Sequence, residues 1–354
     1  MTERAVWVYV GAYAHGDSEG IYVYRMDMET GALRRVSVAG GVENPSFLTL
    51  HPNGHYLYAV NELGEPGGMV SAFAIDAETG SLTFLNKQDA HGTATCHISV
   101  DDAGAYVYIA NYSSGTAAVY PILPDGRLGV AGDVVQHAGS GPHVQRQQGP
   151  HAHSINLSPD NRFAFVADLG IDKVMVYDIA TTPGKLLPRT PVGGAPGAGP
   201  RHFTFHPNGR YAYLINEMGN TITVFAYAAE SGALTEVQTV PTLPEAFTGE
   251  NTTADIHFVP SGKFLYGSNR GHDSIVLYAV DAETGKLRYI AHTTTQGKTP
   301  RNFAIDPTGT FLLAANQDSD NIVVFRIDAE TGRLTPTGHD VQVSKPVCVK
   351  LWAR

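Results

Sequence analysis

Short motifs scattered along this chain carry side chains able to do chemistry. They are GPHAHS with His151 and His153, GPRHF with Arg201, INEMG with Glu217, SNRG with Arg270 and PRNF with Arg301. A guanidinium presents a planar fork of donors that matches a carboxylate or a phosphate. Imidazole changes charge near neutral pH, and a carboxylate joins it in moving protons when burial raises its pKa. Gathered at one place, these groups would form an anion clamp beside an acid–base pair. The competing reading of the arginines is structural pairing with Glu62, Glu217 and Asp255. The ligand expected is a small anion. Nucleic acid and anionic membranes are not expected as partners, because a net charge of −10 repels both.

Residues so far apart meet only if the fold returns the chain to one place many times, and the sequence repeats in the way this requires. An acidic or polar turn followed by Gly-x-Leu recurs at Asp27–Leu33, Asp76–Leu82, Pro124–Leu128, Thr182–Leu186, Ala229–Leu234, Asp281–Leu287 and Asp328–Leu334. Between these turns run hairpins such as FLTLHPNGHYLYAVNE and FTFHPNGRYAYLINE, each with an alternating aromatic second strand. Those second strands close at Gly11, Asn61, Asn111, Asp168, Asn216, Asn269 and Asn316, spaced 50, 50, 57, 48, 53 and 47 residues apart. That is the period of a propeller blade. Glycine at 38 of 354 residues supplies the turns, and no segment holds a helical period. The expected fold is all-β, a seven-bladed β-propeller of four-stranded antiparallel blades forming one domain over residues 1–354. One hairpin is split. Val6 to Tyr13 matches a second strand, and its inner partner, Pro346 to Trp352, lies at the other end of the chain. Pairing the two closes the ring and removes exposed sheet edges.

In such a blade the start of the inner strand and the end of its neighbour share one mouth of the central channel. The first ring holds Ser46, Cys96, His153, Arg201, Ala254, Arg301 and Val347; the second holds Ala12, Glu62, Tyr112, Leu169, Glu217, Arg270 and Gln317. On these rings His153 and Glu217 are the candidate proton-moving groups, and Arg201, Arg270 and Arg301 the candidate anion clamp. Candidate substrate contacts are His151, Arg301, Glu62, Tyr112, His97 and Gln317. His97, His202 and Asp255 lie one step further along the inner strands, where alternation sends them mostly into blade packing. The longest insertion, residues 136–150, precedes His151 and is a candidate lid; residues 241–252 are a second. His151 and His153 have the spacing of a zinc pair but lack an obvious third ligand, so no metal or other cofactor is expected. Cys96 and Cys348 read as reduced thiols. With no signal-like start in MTERAVWVYV and no run long enough to span a bilayer, the chain is expected to be cytoplasmic, a monomer or weak homo-oligomer.

The DAETG-L turns, the HPNG hairpins and the GPHAHS, GPRH and NE motifs resemble the lactonase family of seven-bladed propellers, from Val6 to Trp352. That family includes bacterial 6-phosphogluconolactonases and fungal carboxymuconate-cyclising enzymes. In the fungal branch a His, two Arg and a Glu form the proposed centre, and the matching positions here are His153, Arg201, Glu217 and Arg270. The resemblance implies a metal-independent hydrolase acting on 6-phospho-D-glucono-1,5-lactone in the pentose phosphate pathway. It leaves open a carboxymuconate cycloisomerase using the same groups. A non-catalytic propeller that binds proteins is the remaining alternative, since this fold does not fix a function.

Overall fold

The repeats fold into blades because each supplies three tight turns between alternating strands, and an isolated sheet of this kind can bury its two faces only against its neighbours. The computed structural model describes residues 6–13, 20–180 and 184–353. Met1 to Ala5, within the start read above, and Thr182 and Pro183 of the Gly-x-Leu turns lie outside the described residues. The described residues form seven antiparallel sheets, each a four-stranded meander. Blades I to VII begin with the inner strands Leu48–Leu50, Thr95–Val100, Ala152–Leu157, Pro200–Phe205, Thr252–Phe258, Pro300–Ile305 and Pro346–Ala353. Each inner strand touches that of the next blade, and the strand of blade VII touches that of blade I. The result is a seven-bladed β-propeller. Blade III carries an additional short strand, Val192–Gly193, against Lys173–Ala180. No helix of the described residues is long and apolar enough to cross a membrane.

The ring closes by strand pairing of the two chain ends. Pro346–Ala353 lies antiparallel to Val6–Ala12, with Trp7 opposite Trp352 and Gly11 opposite Cys348. The apolar core lies between blades: Tyr266 and Phe264 of blade V, for example, join one cluster with Phe303, Leu312 and Phe325 of blade VI. Turn and hairpin repeats also bond to each other across blades. The hydroxyls of Tyr213 and Tyr266 donate to the carbonyls of Gly285 and Gly332 in the next blade, at 2.7 and 2.6 Å. In the first of these turns Asp281 Oδ1 accepts the backbone N–H groups of Glu283 and Thr284 at 3.0 and 2.9 Å. Gly285 then turns back at φ +71°, where a Cβ would stand 2.5 Å from the Tyr211 ring. Only glycine satisfies both conditions.

Two local devices aim residues at the channel. Inner strands are bulged at the first ring: register shifts fall between Thr95 and His97, Ala152 and Ser154, Pro200 and His202, Thr253 and Ile256, and Pro300 and Asn302. The residues in the gaps are Cys96, His153, Arg201, the pair Ala254 and Asp255, and Arg301. A bulge leaves its extra residue unpaired and bends the strand, which re-aims the side chain. The asparagines closing the second strands tie each strand end to the preceding connection. Asn111, Asn269 and Asn316 donate to the carbonyls of Ala90, Thr242 and Thr295 at 2.9, 2.9 and 3.2 Å. Blade III has Asp168 in this series, and its carboxylate instead takes His137 Nδ1 at 2.5 Å and the backbone N–H of His151 at 2.7 Å. The residue after each closing position is thereby held at the mouth.

Removing residues 345–354 strips blade VII of its inner strand and bares the edge at Val6–Ala12. The truncated chain is expected to melt well below the full-length protein and to aggregate, as read by thermal unfolding and size-exclusion chromatography; a soluble variant with unchanged melting would contradict the closure.

Candidate active site

Glu217 stands at the centre of the mouth and collects three guanidinium groups. Its Oε2 accepts from Arg201 Nε and Arg270 Nη2, both at 2.9 Å, and its Oε1 accepts from Arg146 Nη2 at 2.6 Å. His153 Nε2 lies 3.7 Å from Oε2. The same arginines are fixed from behind. Arg201 Nη1 donates to the Ala254 carbonyl at 2.6 Å and to His202 Nε2 at 3.1 Å, while Arg270 Nη2 donates to the Thr253 carbonyl at 2.7 Å. His153, Glu217, Arg201 and Arg270 therefore meet within one cluster although they come from blades III, IV and V.

The charge states follow from this packing. Burial by itself raises the Glu217 carboxyl, but Arg270, Arg201, His153 and Arg146 outweigh it and hold the group well below the usual carboxylate range. The condition under which a carboxylate moves protons, a pKa raised by burial, is therefore not met at Glu217: it is an ionised anchor and has no proton to give. Burial, reinforced by Arg201, pushes His153 well below 6.5, so its imidazole is neutral at physiological pH. Burial also lowers Arg270, to about 10, which leaves it charged. Cys96 contacts His153, with Sγ 3.8 Å from Nδ1, but burial pushes its thiol far up and makes it inert as a nucleophile. Cys348 is raised to about 11 by the same cause, and both cysteines are free.

The candidate substrate contacts fall into different places. Glu62, Tyr112 and Arg301 line the mouth cavity of about 280 Å³ together with His153, Glu217 and Arg270. Glu62 accepts from Tyr13 at 2.9 Å, and Arg301 lies over the Tyr13 ring at 5.5 Å. Among the described residues the Arg301 guanidinium donates no hydrogen bond, and Tyr13, Glu62 and Glu217 together overcome its burial to keep it charged. His151 stacks on Tyr112 at 4.5 Å and donates from Nδ1 to its carbonyl at 2.9 Å, so it braces Tyr112. Gln317 opens a short 3-10 turn, donates to Asp318 at 2.9 Å and does not line the cavity.

His97 sits deeper, packed on Phe47 at 4.3 Å and beside His202 at 5.4 Å. These three residues come from blades I, II and IV, so they meet in the channel and not between adjacent blades. Simple alternation sent His97, His202 and Asp255 into blade packing; the bulges reset it and place them in a second tier. There His202 Nδ1 donates to Asp255 Oδ1 at 2.7 Å, and Asp255 Oδ2 also binds His257 Nε2 at 2.8 Å and Asn302. Burial, with Arg201 adjacent, lowers His202 to about 4, which keeps Nε2 free to accept from Arg201. Sequence reasoning did not single out Arg146 or Tyr13. Arg146 lies in the 136–150 insertion, where it is the one basic side chain other than histidine. That segment is fastened: the buried Gln147 donates to the Leu169 carbonyl at 2.8 Å and to Asp172 at 2.7 Å.

Comparison with known proteins agrees with this fold. Residues 7–351 match the family model described as lactonase, 7-bladed beta-propeller. The chain belongs to that family. This lactonase-family chain is 41% identical over 342 residues to the 6-phosphogluconolactonase of Bacillus subtilis, covering 97% of each. It is 37% identical over 300 residues to the 6-phosphogluconolactonase of Formosa agariphila, covering 81% of this chain and 82% of that one. The periplasmic gluconolactonase of Pseudomonas aeruginosa superposes with a TM-score of 0.93 at 35% identity, over 98% of this chain and 99% of that one. Among the described residues no cluster of three or more His, Cys, Asp or Glu is grouped to hold a metal ion.

Glu217→Gln removes the common partner of three guanidinium groups and leaves their charges uncompensated in a buried setting. A loss of about 3–5 kcal/mol in unfolding free energy is expected, measured by denaturant titration; a variant as stable as wild type would show that Glu217 is not the anchor.

Proposed function

We propose that this chain hydrolyses 6-phospho-D-glucono-1,5-lactone to 6-phosphogluconate, acting as a single propeller domain in the cytoplasm. The observation that carries the reading is a neutral His153 beside an ionised Glu217 among guanidinium groups, in a chain whose relatives include a 6-phosphogluconolactonase matched over 97% of its length. Reduced, buried cysteines support the cytoplasmic assignment.

In the proposed reaction neutral His153 takes a proton from water as its oxygen attacks the lactone carbonyl carbon. Negative charge develops on the carbonyl oxygen, and Arg301, whose donors are uncommitted, stabilises it. The intermediate collapses by breaking the bond between the carbonyl carbon and the ring oxygen, and His153 returns its proton to that oxygen. The new carboxylic acid ionises on release. Glu217 does not move a proton; it orients Arg201 and Arg270 and compensates their charge. The second tier serves the same end, since Asp255 fixes the tautomer in which His202 accepts from Arg201.

His153→Ala is expected to lose at least about a hundredfold in kcat on phosphogluconolactone, assayed beside unphosphorylated lactones and carboxymuconate. Retention of turnover would remove His153 from the reaction, and turnover of the muconate alone would replace hydrolysis with cyclisation. The pH profile follows from the direction of the His153 shift. The base is lost on protonation, which occurs well below 6.5, so kcat/KM should stay level from neutral pH down through 6.5. An acid limb centred at or above 6.5 would contradict the assignment.

A further inference from the structure

The channel mouth contains two cavities of very different size. The deeper one, of about 10 Å³, is lined by Ser46, Cys96, His153, Arg201 and Arg301 among others. It has room for about one oxygen atom or one water. The outer one, of about 280 Å³, is bounded by Tyr112, Arg146, Glu217 and Arg270, and shares Glu62, Cys96, His153 and Arg301 with the first. A phosphate, with its three terminal oxygens, does not fit the deeper cavity. The carbonyl end of the lactone belongs next to His153 and Arg301, where the two cavities join, and its phosphate belongs in the outer one.

The arginines of the outer cavity differ in how far they are committed. Arg270 is mostly buried and tied to Glu217 and the Thr253 carbonyl. Arg146 has a side chain 38% exposed and engages through Nη2 alone, with Glu217 at 2.6 Å and the Tyr112 hydroxyl at 3.2 Å. Its Nε and Nη1 donate to nothing among the described residues. Its backbone is nonetheless fixed, because Gln147 is fully buried, donates to Leu169 and Asp172, and accepts from the His143 N–H at 3.0 Å. A charged fork with open donors, held in advance at the rim, suits a dianion and loses little freedom on binding it.

We propose that Arg146 selects phosphorylated substrates, binding the 6-phosphate of a lactone that enters carbonyl end first. This rests on the lactone-hydrolase reading above. The test measures kcat and KM for wild type, Arg146→Gln and Arg146→Lys on 6-phosphogluconolactone and on glucono-1,5-lactone. Losing a charge-assisted contact should cut the ratio of kcat/KM, phosphorylated over unphosphorylated, by about tenfold or more in R146Q, chiefly through KM, with partial recovery in R146K. If Arg146 acts only by steadying Glu217, both substrates suffer equally and the unchanged ratio overturns the proposal. A wild-type ratio near one would overturn the phosphate reading itself and this proposal with it. A wild-type preference that survives in R146Q would overturn only the assignment to Arg146.

Discussion

One buried carboxylate organises the mouth of this propeller. Glu217 is 3% exposed, yet it faces three guanidinium groups. Those like charges would repel one another and resist burial without it. The attraction works in both directions. The arginines keep Glu217 ionised, and Glu217 fixes the plane of each fork. Arg201 in turn helps burial keep His153 neutral, so the proposed acid–base group and the proposed anion-binding groups depend on the same cluster. An enzyme that must both accept a proton and hold a developing negative charge near neutral pH needs this separation of roles.

The scaffold makes the cluster possible by rigidity and by small departures from regularity. The second strands that lead to Glu217 and Arg270 are hydrogen-bonded on both sides, and the inner strands that carry His153, Arg201 and Arg301 pair on one side with their neighbours; the blades are held to each other by aromatic cores and tyrosine-to-glycine contacts. Against that background the inner strands break register at Cys96, His153, Arg201 and Arg301, at Ala254 and Asp255 in blade V, and at Val347 in blade VII. Bulges next to active sites commonly re-aim side chains, and here they turn one residue per strand into the channel. The following residue then drops into the tier below. His202 and Asp255 therefore support Arg201 from underneath, where regular alternation would have hidden them between sheets.

Much of this was legible in the sequence, for identifiable reasons. The blade period survives as turn chemistry, because Asp281 or Asp328 must accept two backbone N–H groups and the glycine after it must adopt positive φ. The split blade could be read because Pro346–Trp352 keeps the pattern of an inner strand. Aligning strand ends then brought His153, Arg201, Glu217 and Arg270 together. What alternation could not reveal were the bulges, since an extra residue leaves no mark in residue type; this misdirected His97, His202 and Asp255. The sign of the Glu217 shift was also hidden, because burial and three arginines act oppositely and their balance depends on distances. Arg146 reaches the site from an insertion with no counterpart in the repeat, so no alignment of blades could find it.

The claim on which the account turns is that this cluster leaves His153 an uncharged imidazole in the resting protein. Nitrogen-15 NMR of labelled protein, with the His153 resonances assigned by comparison with His153→Ala, reads that state directly. The account predicts the shifts of a neutral ring at pH 7 and still at 6.5. Imidazolium shifts at neutral pH would contradict it.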